Sequence, residues 1–199
     1  MLPRVDRDLR LHDGRLARIR PATPDDAAAL VTLMRAQAED GRGMVITADQ
    51  VGEATKFRAR LEEQGERRAR GELAISWVAE LAGALVAEGH IAELPPALCR
   101  HVADLSIGVH PVAQRLGLGR AVLVTLVDAA RRAGILRVEL RVRADNDRAR
   151  SLYRSVGFVD ECVRQRFVRL ADGTFVDDIV MVRFFEPIFA ALPLDGPTR

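Results

Sequence analysis

A strand, two closely spaced glycines and a long amphipathic helix place the strongest constraint on how this chain folds. Residues 109–120 read V-H-P-V-A-Q-R-L-G-L-G-R, and the apolar stripe that follows repeats at helical spacing until Gly134. A further strand is predicted over residues 137–143, where apolar and charged residues alternate. A strand, a helix and a second strand in this order predict a right-handed parallel crossover.

Shorter periodic segments surround this unit and define the rest of the fold. The predicted elements are a strand at 15–20, helices at 23–41 and 47–65, hairpin strands at 73–79 and 85–91, a strand at 103–109, helices at 118–133 and 147–156, and long strands at 158–170 and 174–185 joined at Asp172-Gly173. This order predicts the α/β class, of the α+β type: a central mixed, twisted sheet with helices on both faces.

The chain length fits one domain. Its 199 residues exceed the usual size of one domain only slightly, and 48% apolar with 29% charged residues is ordinary globular composition. We expect a single domain over residues 1–199 with its core at about 15–185. A leader at 1–14 and a tail at 192–199 are expected to be loosely held.

Charge and cysteine content exclude several classes of protein. A net charge of +2 is too small to support a nucleic-acid or membrane-surface partner, and we expect neither. Cys99 and Cys162 are too few for a disulfide framework and lack metal-ligand spacing, so we predict no metal and expect Cys162 to be buried by packing. The sequence has no signal-peptide or membrane-spanning apolar run, which together with the cysteine content predicts a cytoplasmic protein.

The glycine-bearing turn predicts an anion site. Backbone N–H groups at a helix N-terminus are unpaired and the helix dipole favours negative charge, so phosphate or pyrophosphate is the natural ligand. A Walker A loop is excluded because Arg120-Ala121 follows Gly119 where that motif needs Lys and Ser or Thr. A dinucleotide fingerprint needs a third glycine, although Asp145 leaves that alternative open.

Two motifs resemble those of the GCN5-related N-acetyltransferase (GNAT) family. Residues 114–119 resemble its Q/R-x-x-G-x-G/A loop, which holds the pyrophosphate of acetyl-coenzyme A (acetyl-CoA). The family signature N-x-x-A-x-x-L-Y-x-x-x-G-F is matched by Asn146, Ala149, Leu152, Tyr153, Gly157 and Phe158. The resemblance covers about residues 15–185 and is specific over 104–158. The closing hairpin also resembles members that acylate small amines or amino acids.

The resemblance implies a GNAT-like fold with acetyl-CoA as cosubstrate. Strands 104–109 and 137–143 would splay at their C-terminal ends, leaving a slot whose unpaired backbone groups suit a pantetheine arm. Asn146 is also placed to cap the next helix. The implied cofactor-binding residues are Ile107, Gly108, Val109, Gln114, Arg115, Leu116, Gly117, Leu118, Gly119, Arg120, Asn146 and Tyr153.

Amide formation needs an oxyanion donor, a general acid and a general base. A backbone N–H near Gly108 or Val109 would serve the oxyanion. The resemblance implies that Tyr153, the only tyrosine, is the acid and that Asp104 is the base. Glu88 and His90 on the preceding strand are alternative bases, and each is equally placed to be a surface residue.

The predicted function is direct transfer of an acetyl or other acyl group from acyl-CoA to a primary amine of a small molecule or amino acid. Asp177 and Asp178 would face a cationic acceptor. Two alternatives stay open: acetylation of a protein amine, and a catalytically silent acyl-CoA sensor. A homodimer is compatible with each of them.

Overall fold

The computed structural model describes residues 6–185, which form an eight-stranded sheet and four α-helices. The strands are β1 (Arg7–Arg10), β2 (Leu16–Pro21), β3 (Ala74–Leu81), β4 (Ala84–Glu93), β5 (Val102–Val109), β6 (Arg137–Arg143), β7 (Val159–Arg169) and β8 (Phe175–Phe184), and the helices are α1 (Ala27–Glu39), α2 (Ala54–Ala69), α3 (Leu118–Arg132) and α4 (Asp147–Arg154). Over the described residues, none of the helices has the length and apolar character needed to cross a bilayer.

The sheet has the strand order β1-β2-β3-β4-β5-β6-β8-β7. Among the described strands, β5 and β6 form the one parallel pair, and α3 makes the crossover between them. The predicted mixed sheet with a parallel crossover at its centre is therefore confirmed. The crossover places the glycine-bearing turn directly after the carboxyl end of β5, near the middle of the sheet.

Helices cover both faces of the sheet, as predicted. Trp77 on β3 packs in the larger core with α3, whereas its neighbour Val78 packs in a second core with α1 and α2. Successive side chains on a strand point to opposite faces, so one strand contributes to both cores. A Cβ at Gly89 on β4 would lie 2.6 Å from the side chain of Val122, which explains how closely α3 approaches the sheet.

Two segments differ from the sequence-based expectation. Residues 7–10, expected in a loose leader, pair antiparallel with β2, and Leu11 beyond them is buried. The predicted helix at 47–65 begins only at Ala54, because its first residues form a separate 3-10 turn and the backbone is extended at Val51. The expected loose tail at 192–199 lies outside the described residues.

Candidate active site

The parallel strands β5 and β6 separate after three residue pairs. Val102, Ala103 and Asp104 are paired with residues 137–139, and no later residue of β5 pairs with β6. Residues 105–109 keep their antiparallel pairing with β4 on the other edge. The predicted splay therefore exists and opens a slot within the sheet.

The direction of the backbone groups along this slot follows from one hydrogen bond. The N–H of His110 donates to the carbonyl of Val86 at 2.8 Å, on the β4 side. Backbone groups alternate in direction along a strand, so the N–H groups of Ile107 and Val109 face the slot. The carbonyl of Val109 also faces this way and accepts a hydrogen bond from Gln114 Nε2 at 3.3 Å. Two N–H donors thus lie where the sequence predicts an oxyanion site.

The turn beyond β5 presents the N-terminus of α3 to the mouth of the slot. The first intrahelical bond of α3 runs from the N–H of Ala121 to the carbonyl of Gly117 at 3.1 Å. The preceding N–H groups of Leu118, Gly119 and Arg120 therefore have no acceptor within the helix. Together with the helix dipole, these unpaired groups favour a negatively charged ligand, as expected for the anion site that the sequence predicts.

The first hairpin braces this turn. The N–H of His12, between β1 and β2, donates to the carbonyl of Leu116 at 3.2 Å. Gly117 has a φ of 90°, which favours glycine, and a Cβ there would lie 3.0 Å from His12 Nε2. At Gly119 an added Cβ would make only ordinary contacts, 3.4 Å from the side chain of Leu152.

A cavity of about 530 Å³ joins the slot to this turn. Leu118 does not line it, because its side chain is fully buried in the core, and Leu116 packs against the same core. These two residues can serve a ligand only through their backbones. The predicted cofactor residues that line the cavity are Ile107, Gly108, Val109, Gln114, Arg115, Gly117, Gly119, Arg120, Asn146 and Tyr153.

Several of these side chains already have structural partners. Gln114 Nε2 lies 3.4 Å from Asp40 Oδ2 as well as contacting Val109, so its amide ties α1 to β5. Arg120 donates to Ser155 Oγ at 2.7 Å. Asn146 caps α4 by accepting from the N–H of Ala149 at 3.1 Å, which confirms the predicted capping role.

Tyr153 lies on α4 with its hydroxyl-bearing ring buried beside the cavity. The ring packs on Phe158, with centroids 6.1 Å apart. Burial, and then the negative charge of Glu88, raise the pKa of Tyr153 well above its usual value. The phenol therefore keeps its proton over the working pH range and is a donor.

Of the candidate bases, the structure brings Glu88 to the cavity and leaves Asp104 outside it. Asp104 lies where β5 and β6 are still paired, and its carboxylate forms an ion pair with Arg141 at 3.2 Å. Its implied role as base is therefore not supported by its position. The sequence alone does not distinguish Glu88 from Asp104, because both are acidic residues on neighbouring strands. The distinction depends on where β5 and β6 separate, which the sequence does not show.

Burial raises the pKa of Glu88 to about 7, with Arg60 opposing the shift. His90, two residues along β4, lies outside the cavity, and its Nδ1 contacts Gln64 Nε2 and the carbonyl of Ile75 at 3.1 and 3.2 Å. Burial lowers the pKa of His90 to about 4. Glu88 thus has the position and the pKa of a general base, whereas His90 is a neutral packed residue.

The connection between α1 and α2 forms the other wall of the cavity. Arg143 is buried at the end of β6 and donates to the carbonyls of Gly41 at 2.9 Å and Met44 at 3.4 Å. These bonds hold residues 41–46, called the α1–α2 loop below, against the open end of the slot. Met34 of α1 and Ile46 of the loop give this side of the cavity an apolar surface. Sequence analysis missed the loop because it has no periodic pattern.

Neither aspartate of the final hairpin reaches the cavity. Asp178 is 2% exposed and forms an ion pair with Arg164, and Asp177 Oδ1 accepts from the N–H of Arg166 at 2.7 Å. The expectation that they face a cationic acceptor is wrong because both carboxylates are used within the hairpin. Cys162 is exposed on β7, so its expected burial is also wrong. Among residues 6–185, no three metal-ligating side chains come together.

A mixed sheet whose central parallel pair splays beside a glycine turn and a helix N-terminus defines a class, the GNAT fold. The profile of the acetyltransferase (GNAT) family matches residues 42–158, which is more than half of the chain. The chain therefore belongs to this family.

Individual proteins agree with this assignment. The chain is similar to a GNAT-family acetyltransferase from Streptococcus pneumoniae, with a TM-score of 0.76, 28% identity, and coverage of 84% of this chain and 99% of that one. It has the fold of yncA, a putative acetyltransferase from Salmonella typhimurium solved with its cofactor acetyl-CoA, with a TM-score of 0.74, 23% identity and coverage of 88% and 97%.

Sequence comparison adds a curated relative. The chain is 41% identical over 76 residues to the ribosomal protein bS18-alanine N-acetyltransferase of Escherichia coli, covering 38% of this chain and 51% of the relative. The chain thus spans about half the length of this curated relative.

Proposed function

We propose that this protein is an N-acetyltransferase that moves an acetyl group from acetyl-CoA directly to a primary amine of a small molecule or amino acid. The observation that carries the proposal is the convergence of Glu88, Tyr153 and the Val109 N–H on one cavity. These groups supply the base, the acid and the oxyanion donor that amide formation requires. A catalytically silent acyl-CoA sensor would not need a base, an acid and an oxyanion donor in one cavity.

The residues present fit coenzyme A. The free N–H groups at the start of α3 suit a pyrophosphate, and the glycines allow it to approach the backbone. The slot-facing edge of β5, residues 105–109, offers unpaired peptide groups to the two amides of a pantetheine arm, as an added strand would use them. The thioester would then lie beside Val109, between Glu88 and Tyr153.

In the proposed reaction the chain moves two protons. The Glu88 carboxylate takes a proton from the acceptor nitrogen as that nitrogen forms its bond to the thioester carbonyl carbon. The N–H of Val109 donates to the carbonyl oxygen as negative charge develops there. As the carbon–sulfur bond breaks, the Tyr153 hydroxyl gives its proton to the departing sulfur, which leaves as the thiol. The Glu88 carboxyl then releases its proton to solvent and Tyr153 regains one from solvent, so both groups return to their starting states.

Two measurements test the proposal. Coenzyme A and acetyl-CoA should each raise the melting temperature, since a ligand that binds only the folded state stabilises it. NAD should not. Release of free thiol from acetyl-CoA in the presence of a panel of primary amines should then identify accepted acceptors. A melting shift with NAD and none with either coenzyme A species would contradict the cofactor assignment.

A second candidate function is acetylation of a protein amine. The relative in Escherichia coli, whose name gives the alanine of a ribosomal protein as its acceptor, favours this candidate. The match covers only about half of that relative, so the panel should pair each free amino acid with a short peptide that begins with the same residue. Preference for the peptide would select this second candidate.

A further inference from the structure

Gln37 is a buried polar residue that the proposed reaction does not use. It lies on α1, is 8% exposed and lines the cavity. Its Nε2 has no hydrogen-bond partner among residues 6–185. A buried donor without a partner destabilises the folded protein, and folded proteins contain few of them. A partner that arrives with a ligand would remove this cost.

Gly108 makes the room for this carboxamide. A Cβ at Gly108 would lie 2.3 Å from Gln37 Oε1 and 2.6 Å from Nε2. The backbone at Gly108 is ordinary strand, so its conformation does not require glycine. The close approach of Gln37 therefore explains why glycine occupies this position.

The position of Gly108 places the carboxamide at the centre of the proposed chemistry. Gly108 stands between Ile107 and Val109, whose N–H groups face the slot, and is paired with Glu88 on β4. Glu88 is also paired with Val78 on β3, so its side chain lies on the face of the sheet that α1 and α2 cover. Gln37 approaches the same face from α1, against the Cβ position of Gly108. An amine that gives its proton to Glu88 must therefore pass beside the Gln37 carboxamide.

Resting on the proposed function, we propose that Gln37 binds the acceptor by donating from Nε2 to a carbonyl oxygen next to the carbon that bears the amine. The acceptors are then α-amino carbonyl compounds, which include amino-acid amides and peptide N-termini. A neutral amide donor suits a neutral carbonyl, and the terminal torsion of glutamine turns readily enough to direct Nε2 at it. A plain alkylamine leaves Nε2 unpaired and is disfavoured.

The test compares alaninamide with sec-butylamine, which has similar bulk and no carbonyl. Gln37→Met should lower kcat/KM for alaninamide about ten-fold and for sec-butylamine less than two-fold, as expected for one lost hydrogen bond. Because each amine is compared with itself across variants, their different basicities cancel. Equal losses with both amines, or no loss with either, would overturn the proposal.

Gln64→Met is the matched control. Gln64 is also a buried glutamine, on α2 and 3% exposed, but it lies outside the cavity and contacts His90. This variant should lose stability and keep the preference for alaninamide. A loss of preference here would show that any buried glutamine change disturbs the site, and would overturn the specific role of Gln37.

Gly108→Ala gives a second route to the same carboxamide. Its Cβ should displace the flexible end of Gln37 and lower the ratio of kcat/KM for alaninamide to that for sec-butylamine. This ratio should fall little further in the double variant, Gln37→Met with Gly108→Ala, than in either single variant. Full additivity would contradict a shared mechanism.

A binding measurement separates this inference from the proposed function. Each amine is titrated into protein saturated with coenzyme A. The wild type should bind alaninamide more tightly than sec-butylamine, and the Kd for alaninamide should be about ten-fold higher in Gln37→Met. If no amine is acetylated, the proposed function fails, and the titration still decides the role of Gln37. If the wild type acetylates both amines and binds them equally, only the role of Gln37 fails.

Discussion

Glu88 lies directly opposite Gly108 in the antiparallel pairing of β4 with β5. This pairing places the Glu88 carboxyl group beside Gly108, which lies between the two residues whose N–H groups face the slot, Ile107 and Val109. Burial there raises the pKa of Glu88 to about 7, where a base is half ionised at neutral pH. In the proposed reaction, this one pair of residues on neighbouring strands therefore positions the base beside the oxyanion donors.

The first prediction concerns the pH dependence of activity. A base must be ionised, so kcat/KM should rise as Glu88 loses its proton near pH 7. Glu88→Gln should lower the rate about 10²-fold and remove this limb of the profile, measured with one amine over pH 5–9. Asp104→Asn is the control and should keep the limb. A limb lost in Asp104→Asn and kept in Glu88→Gln would restore Asp104 as the base.

The same substitution makes a prediction about stability. The pKa of Glu88 is raised from 4.5 to about 7 in the folded state, so folding favours the protonated form. The folded protein therefore binds more protons than the unfolded chain between these values, and this contribution to stability is lost as pH rises through 7. Glu88→Gln should match the wild type near pH 4 and exceed it by about 1–3 kcal/mol at pH 8, measured by urea unfolding. Equal stability at pH 8 would show that the carboxylate is well solvated.

Tyr153→Phe tests the acid. The variant removes the hydroxyl and keeps the packing on Phe158. Acetyl-CoA affinity should change little while the single-turnover rate falls about 10²- to 10⁴-fold, because the interaction is needed mainly in the transition state. Single-turnover measurement is required since product release can hide the chemical step. An unchanged rate would assign proton delivery to water or another group.

Gly119→Asp tests the anion site. An added Cβ at Gly119 meets only ordinary contacts, so the fold should tolerate the change. The carboxylate would approach the proposed pyrophosphate position, and coenzyme A affinity should fall at least about ten-fold by charge repulsion. Gly119→Ala is the matched control and should bind nearly as the wild type does. Normal affinity in a folded Gly119→Asp would place the phosphates elsewhere.

Arg143→Met tests the α1–α2 loop. The buried guanidinium holds the carbonyls of Gly41 and Met44, so its loss should free the loop and raise the acceptor KM while coenzyme A affinity is kept. Arg137→Met is the control. Arg137 lies at the other end of β6 from Arg143 and is ion-paired with Glu161 on β7. An acceptor KM raised equally in both variants would point to a general loss of stability.

Much of the fold was predictable because local patterns set it. Strand β6 has the predicted bounds, residues 137–143, since its strict alternation is followed by a turn and a capped helix. The glycine-bearing turn and the start of α3 were predictable for the same reason, because they are consecutive in the chain.

The base and the acceptor side were not predictable from local patterns. Asp104 and Glu88 are both acidic residues on half-buried strands, and only the point where β5 and β6 part distinguishes them. Gln37 lies on the packed side of a predicted helix. Its proposed role depends on its contact with Gly108, a residue of β5 that is distant in sequence. Contacts of this kind are set by tertiary packing, which single-strand periodicity does not encode.

The bond from the His12 amide to the carbonyl of Leu116 ties the β1–β2 hairpin to the glycine-bearing turn that is proposed to bind the pyrophosphate. The deuterium uptake of this amide therefore offers a direct reporter of how firmly the turn is held. Substitutions in the connection between β1 and β2 would therefore also alter the support of the glycine-bearing turn. Truncation of the protein to its family-matched segment, residues 42–158, would remove this brace together with β1 and β2.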